Sequence, residues 1–184
     1  MAKRALVTIA DGIEEIEAVC IIDTLRRAGA EVTVASVDGL QVMASRGVKL
    51  VADKLIGDCQ GETFDLIVLP GGLPGAEHLR DCALLVEMLR AQEASGRLYG
   101  AICASPAVVL GHHGLLGDKR ATCHPAIEEQ LVCAEKSDER VTVDGNCVTS
   151  RGPGTAIDFA LELVGRLFGA ERAEAVAGPM LVRR

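Results

Sequence analysis

A chain of 184 residues with 49% apolar and 24% charged residues has enough material for one packed core, which excludes a disordered tail or a fibre. A net charge of -7, with three phenylalanines, one tyrosine and no tryptophan, leaves neither a basic surplus for phosphates nor rings to stack on bases, so no nucleic-acid partner is expected. Seven cysteines without a C-x-x-C spacing argue against a disulfide framework or structural zinc, and read as reduced, cytoplasmic thiols.

The N-terminus opens like a leader, but Asp11, Glu14 and Glu15 cut its apolar run short. Residues 5–9 read as a buried strand broken by Gly12. Residues 14–28 read as a helix with Val19, Ile22 and Leu25 on one face, Arg26 and Arg27 near its end and Gly29 at the C′ position. A second strand, 31–37, is turned by Asp38-Gly39 into a hairpin, and 48–52 adds another strand. Residues 65–69 form an apolar strand stopped by Pro70-Gly71-Gly72, after which Asp81 caps a helix over 82–95. The uncharged stretch 98–117 has the length of a membrane span. Cys103, Ser105, Pro106, His112 and His113 interrupt it, so strand, turn and buried helix are expected instead of a membrane segment.

Further on, 120–123 reads as strand, 125–132 as helix, and 141–143 and 147–149 as a hairpin around Asp144-Gly145. Thr155 and Asp158 form a capping box opening a helix to residue 168, and a last helix covers 171–177. Strands alternate with helices, and the strands at 65–69 and 98–102 are apolar throughout. This predicts one domain over 1–184, a doubly wound α/β sandwich with a largely parallel sheet.

In such a sheet reactive groups gather beyond the carboxyl ends of the strands. Three loops qualify: the one after residue 9, Pro70-Gly71-Gly72, and the turn at Cys103. The run 99–110 (YGAICASPAVVL) has the grammar of a strand–nucleophile–helix elbow, where backbone N–H groups stabilise a thiolate and hold an oxyanion. A buried packing cysteine is the alternative from this segment alone. Glu14 and Glu15 are explained as first-turn acids favoured by the helix dipole. Glu17 lies deeper in the helix and is either part of a solvated face or a buried, protonated acid bonded to the thiolate. His112 and His113 point in different directions, which disfavours a shared metal, and His78 reads as a surface residue. His124 reaches the elbow only if its strand is next in the sheet. Gly152-Pro-Gly154 fails as a dinucleotide fingerprint because Ile157 replaces the third glycine, and no cofactor or metal is implied.

Arg4-Ala-Leu-Val, Glu14-Glu15-Ile-Glu17, Leu69-Pro-Gly-Gly72, Ala101-Ile-Cys103-Ala-Ser-Pro106 and Ser150-Arg-Gly-Pro-Gly-Thr155 together resemble the ThiJ/PfpI superfamily, in the branch of the Parkinson-disease-associated deglycase and bacterial YajL. The resemblance spans nearly the whole chain. It implies a flavodoxin-like fold, a homodimer, and glyoxalase III or deglycase chemistry on small 2-oxoaldehydes, beside oxidative-stress and chaperone roles. By position it implies Cys103 as nucleophile, Glu17 as the acid bonded to it and His124 as the nearby histidine. Gly71, Gly72 and Ala104 match the positions whose amides line an oxyanion pocket, and Arg27 and Arg46 match positions near the site or its dimer edge. Ser105 departs from the Gly or Ala more usual in this branch. Ala104 stands where the peptidases of the superfamily carry histidine, so a peptidase or amidase is the remoter reading. A non-catalytic redox sensor or chaperone using Cys103 is the nearer alternative.

Overall fold

The computed structural model describes residues 2–182; Met1, Arg183 and Arg184, at the ends of the expected 1–184 domain, lie outside the described residues. Strand β1 (Arg4–Ile9) leads into helix α1 (Glu15–Arg27) and strand β2 (Glu31–Ser36). Two short strands, β3 (Gln41–Met43) and β4 (Lys49–Val51), precede β5 (Lys54–Leu55), β6 (Leu66–Leu69), α2 (Gly75–Asp81), α3 (Ala83–Ala94) and β7 (Leu98–Ile102). A π-helical segment, Pro106–Gly111, follows. Then come β8 (Arg120–Ala121), a 3-10 segment at Pro125–Gln130, β9 (Glu135–Lys136), β10 (Val141–Asp144), β11 (Cys147–Ser150), α4 (Ala156–Phe168) and α5 (Ala170–Ala177).

The main sheet has the order β10-β11-β7-β6-β1-β2-β5, and only its edge strand β10 is antiparallel to its neighbour. This is the expected doubly wound, flavodoxin-like arrangement. The chain starts at β1, moves outward to β2, and returns on the other side of β1 as β6 and β7, so the order reverses between β1 and β6. The strands are apolar on both faces because both faces are covered. Ala5 and Val7 of β1 pack with Ile21, Leu25, Phe159 and Val164 of α1 and α4, while Leu6 and Ile9 pack with Leu79, Leu89 and Leu110 on the opposite face. Tyr99 of β7 is fully buried and donates its hydroxyl to Leu115 O at 2.7 Å.

Several local expectations are corrected. Of the expected face of α1 only Leu25 is fully buried; Val19 is exposed and Ile22 half-buried, while Glu15, Glu17, Ala18, Ile21 and Thr24 are buried. Asp38-Gly39 does not close a hairpin on β2, which pairs in parallel with β1 and β5. The Asp38 carboxylate instead accepts from Asp11 N and meets His78 Nδ1 at 2.9 Å. The antiparallel hairpin is β3–β4, turned at residues 44–48. Helix α2 is unanticipated, and Asp81 ends it rather than capping α3; its carboxylate is held by Arg80. The strand expected at 120–123 stops at Ala121 and pairs with β9 outside the main sheet, and the helix expected at 125–132 is a kinked 3-10 segment. Thr155 does not form the capping box. Its hydroxyl bonds Gly152 N, Gly152 O and Ser150 Oγ, while Asp158 binds Arg140. The hairpin at Asp144 forms as expected, with Asp144 facing Cys147 across Gly145 and Asn146.

Candidate active site

The carboxyl ends of β1, β6, β7 and β11 lie side by side at the reversal of strand order, where the theory of such sheets places ligands. The loop after β6 runs Pro70-Gly71-Gly72 straight against the elbow after β7. A Cβ on Gly71 would stand 2.6 Å from Cys103 Cβ, and one on Gly72 would stand 2.4 Å from Glu14 N. Glycine is the residue that permits this approach, and Gly72 also adopts φ +91°. Cys103 itself sits at φ +64°, in the left-handed region that a side chain disfavours. Its N–H donates to Ser150 O and its carbonyl accepts from His124 N, so neighbouring backbone holds the turn from both sides.

Glu17 projects from the first turns of α1 beneath this turn and is fully buried. Its Oε2 accepts the Gly71 N–H at 2.7 Å, while Oε1 is buried with no protein hydrogen-bond partner. Burial is the main force on the carboxyl and pushes its pKa up to about 7; the Gly71 amide and the Cys103 side chain pull the other way, and Glu14 adds to the rise. Burial, and then the Glu17 charge, push the Cys103 thiol up to about 12, while the amides of Gly72 and Ala104 pull it down. The repulsive part lasts only while Glu17 is ionised, so the protonation of each side chain depends on that of the other.

The cleft in front of Cys103 measures about 420 Å³ and is lined by Glu14, Arg46, Gly72, Ala104, His124 and Pro153, among others. Of the expected residues, Cys103, Glu17, Gly72, Ala104, His124 and Arg46 therefore meet at one place. Gly71 is a correction: its amide is committed to Glu17, which leaves those of Gly72 and Ala104 to act on the sulfur. Arg27 is not brought into the cleft of its own chain; it is exposed at the far end of α1 and paired with Asp23. His124 arrives by the loop after β8. Its Nδ1 accepts from Ala126 N, so the ring is anchored in its own loop instead of on the thiol. That acceptor role leaves the proton of the neutral ring on Nε2.

Sequence reasoning missed Gly152 and the loop around Ser45. A Cβ at Gly152 would lie 3.3 Å from His124 Cδ2 and 4.0 Å from Cys103 Sγ, so this glycine keeps the space between them open. Glu14 and Glu15, expected as exposed first-turn acids, are buried and tie down the β3–β4 turn. Ser45 Oγ donates to Glu14 Oε2 at 2.8 Å, and Arg46 N to Glu15 Oε1 at 3.0 Å, which sets Arg46 at the cleft mouth. Among the described residues no group of three or more His, Cys, Asp and Glu side chains is placed to hold a metal ion.

The DJ-1/PfpI family model matches residues 3–166. Protein DJ-1 homolog B of Arabidopsis thaliana is 50% identical over 98% of the chain, which spans only 42% of that relative's length. The Caenorhabditis elegans protein named glutathione-independent glyoxalase DJR-1.2 is 36% identical, with 99% of this chain and 98% of that one covered. Among solved structures, oxidized Toxoplasma gondii DJ-1 superposes with a TM-score of 0.97 at 50% identity over 100% of both chains. A family model matched over residues 3–166, relatives aligned over nearly the whole chain and a near-complete superposition have one conclusion: the chain belongs to the DJ-1/PfpI family.

Proposed function

We propose that the chain is a cofactor-independent glyoxalase III or deglycase that acts on small 2-oxoaldehydes such as methylglyoxal and on their adducts. The observation carrying this reading is the buried Glu17 carboxyl, one oxygen fixed by the Gly71 amide and the side chain in interaction with Cys103. The name of the C. elegans relative supports it. The Cys103 thiolate adds to the aldehyde carbon, and the new oxyanion receives the Gly72 and Ala104 N–H groups and then a proton, giving a hemithioacetal. Glu17, as carboxylate, takes the hydrogen from that carbon as a proton while the ketone oxygen is protonated, giving an enediol. It then returns the proton to the adjacent carbon while the hydroxyl on the sulfur-bearing carbon gives up its proton, offsetting the one added to the ketone oxygen, and a thioester is left. Water cleaves the thioester to lactate and frees the thiol, so the sum is one aldehyde plus one water. A pKa near 7 suits a group that must both take and give a proton.

Arg46 at the mouth offers a cation to an anionic adduct. The remoter peptidase reading is weakened by the His124 ring, which is bonded to Ala126 N instead of pairing with the thiol. A redox sensor remains the second reading, because Cys103 is half-buried beside amides that would also bind sulfinate oxygens, and the T. gondii relative bears the word oxidized. We also infer a homodimer, since Ile16 and Val19 of α1 and Val48 and Val51 of the adjoining hairpin form exposed apolar surface. Arg27 shares that face of α1, so a partner subunit is what would bring it to a cleft. A cytoplasmic location fits seven free cysteines, and no helix of the described residues is long and apolar enough to cross a membrane. Lactate formation from methylglyoxal by purified protein without glutathione is the expected result. Labelling of Cys103 by peroxide with no turnover would assign the protein to the sensor reading instead.

A further inference from the structure

Ser105 is fully buried two residues beyond the cysteine of the elbow, and its hydroxyl donates to Pro70 O at 2.5 Å. The Pro70 carbonyl and the Gly71 N–H belong to one peptide group. They point in opposite directions, one toward Ser105 and the other to Glu17 Oε2 at 2.7 Å. A single planar unit thus stands between the hydroxyl and the carboxyl, and it can neither tilt nor rotate without breaking both bonds. We propose that Ser105 is a positioning residue: through the Pro70–Gly71 peptide it orients the Glu17 carboxyl so that Oε1 is presented to Cys103.

The contacts close a ring, from Cys103 along the elbow to Ser105, across to Pro70 and Gly71, on to Glu17 and back to the sulfur. Donation to the carbonyl polarises the peptide and makes its N–H a stronger donor, as in any hydrogen-bonded chain. An alanine or glycine at 105, as the resemblance leads one to expect, would leave the Pro70 carbonyl without this donor. The titratable groups acting on Glu17, among the described residues, are Cys103 from the elbow and Glu14 from the start of its own helix; the β6 loop contributes the Gly71 amide. None of these changes when residue 105 is varied.

The assignment rests on the proposed role of Glu17, but its test does not require turnover. Glutamate labelled with 13C at the side-chain carboxyl allows the Glu17 signal, identified by its loss in Glu17→Gln, to be titrated in wild type, Ser105→Ala and Ser105→Cys. Weakening the donor disfavours the carboxylate, so the midpoint in Ser105→Ala should rise by roughly half a pH unit, with the weakly donating cysteine in between. Should Ser105→Ala fail to fold, the near-isosteric Ser105→Cys carries the comparison. Unchanged midpoints, even with a lowered melting temperature, would reduce Ser105 to a partner for a buried carbonyl and overturn the inference. A protein that shifts as expected yet makes no lactate would keep the assignment and remove only the glyoxalase reading.

Discussion

Cysteine at φ +64° carries a backbone cost that glycine would not, on the order of 1 kcal/mol. Alanine keeps the Cβ and therefore that cost, losing only a sulfur that the cleft partly exposes. Cys103→Ala should be inactive and close to wild type in stability, and Cys103→Gly inactive but more stable than the alanine variant by about 1 kcal/mol. Turnover and urea unfolding on the pair check this; an active alanine variant would mean that the nucleophile lies elsewhere. For Glu17 the sign follows from its raised pKa. The folded chain holds this proton more tightly than the unfolded one, so the group's contribution is fully present below about pH 4.5 and is lost as pH rises through about 7. Glu17→Gln should remove a decline of about 3 kcal/mol across that window, and should lower turnover more than it lowers alkylation of Cys103. Denaturant unfolding of both proteins at pH 4, 5.5 and 7.5 measures the difference, and parallel pH curves would show that Glu17 is not held as described. The residue was legible because it lies deeper in the helix than Glu14 and Glu15. Its burial was not, because that depends on a loop more than fifty residues away.

Two glycines with nearly equal φ show what an element contributes beyond its dihedral angles. Gly72 and Gly47 stand at +91° and +90°, but a Cβ at Gly72 would meet Glu14 N at 2.4 Å and Gly12 O at 2.6 Å, whereas Gly47 has open space around it. Gly47→Ala should cost about 1 kcal/mol, and Gly72→Ala well above 2 kcal/mol with loss of the cleft. Equal melting temperatures for the two would contradict the tight contact between the β6 loop and the start of α1. Strands β1, β6 and β7 were legible because each is a dense apolar run, the first broken by Gly12 and the second stopped by Pro70. The β3–β4 hairpin was not, because its register is set by Glu15 accepting from Arg46 N, a contact remote in sequence. Asp38-Gly39 carried a turn signal, but the Asp38 side chain found partners in Asp11 N and His78, and β2 found strands on both sides. Short range propensity lost to long range pairing at each of these points.

Across the whole molecule, the parallel sheet and its reversal of order between β1 and β6 follow from the alternation of elements, while the outward faces do not. Val19 was read onto one face with Ile22 and Leu25, yet it is exposed, because periodicity along a helix does not say which of its apolar residues meet the core. With Ile16 53% exposed and Val51 70% exposed, that surface is where an association would be lost first. Light scattering at micromolar concentration should give a dimer mass for the wild type and a monomer mass for Val19→Glu, with little change in the fold of each protomer. A monomeric wild type would leave Arg27 remote from any cleft. The placement of Tyr99 has an optical consequence. With no tryptophan in the chain, this phenol is the sole strong near-ultraviolet chromophore, and it sits on the strand that ends at Cys103. Its emission therefore reports on β7 without any added label.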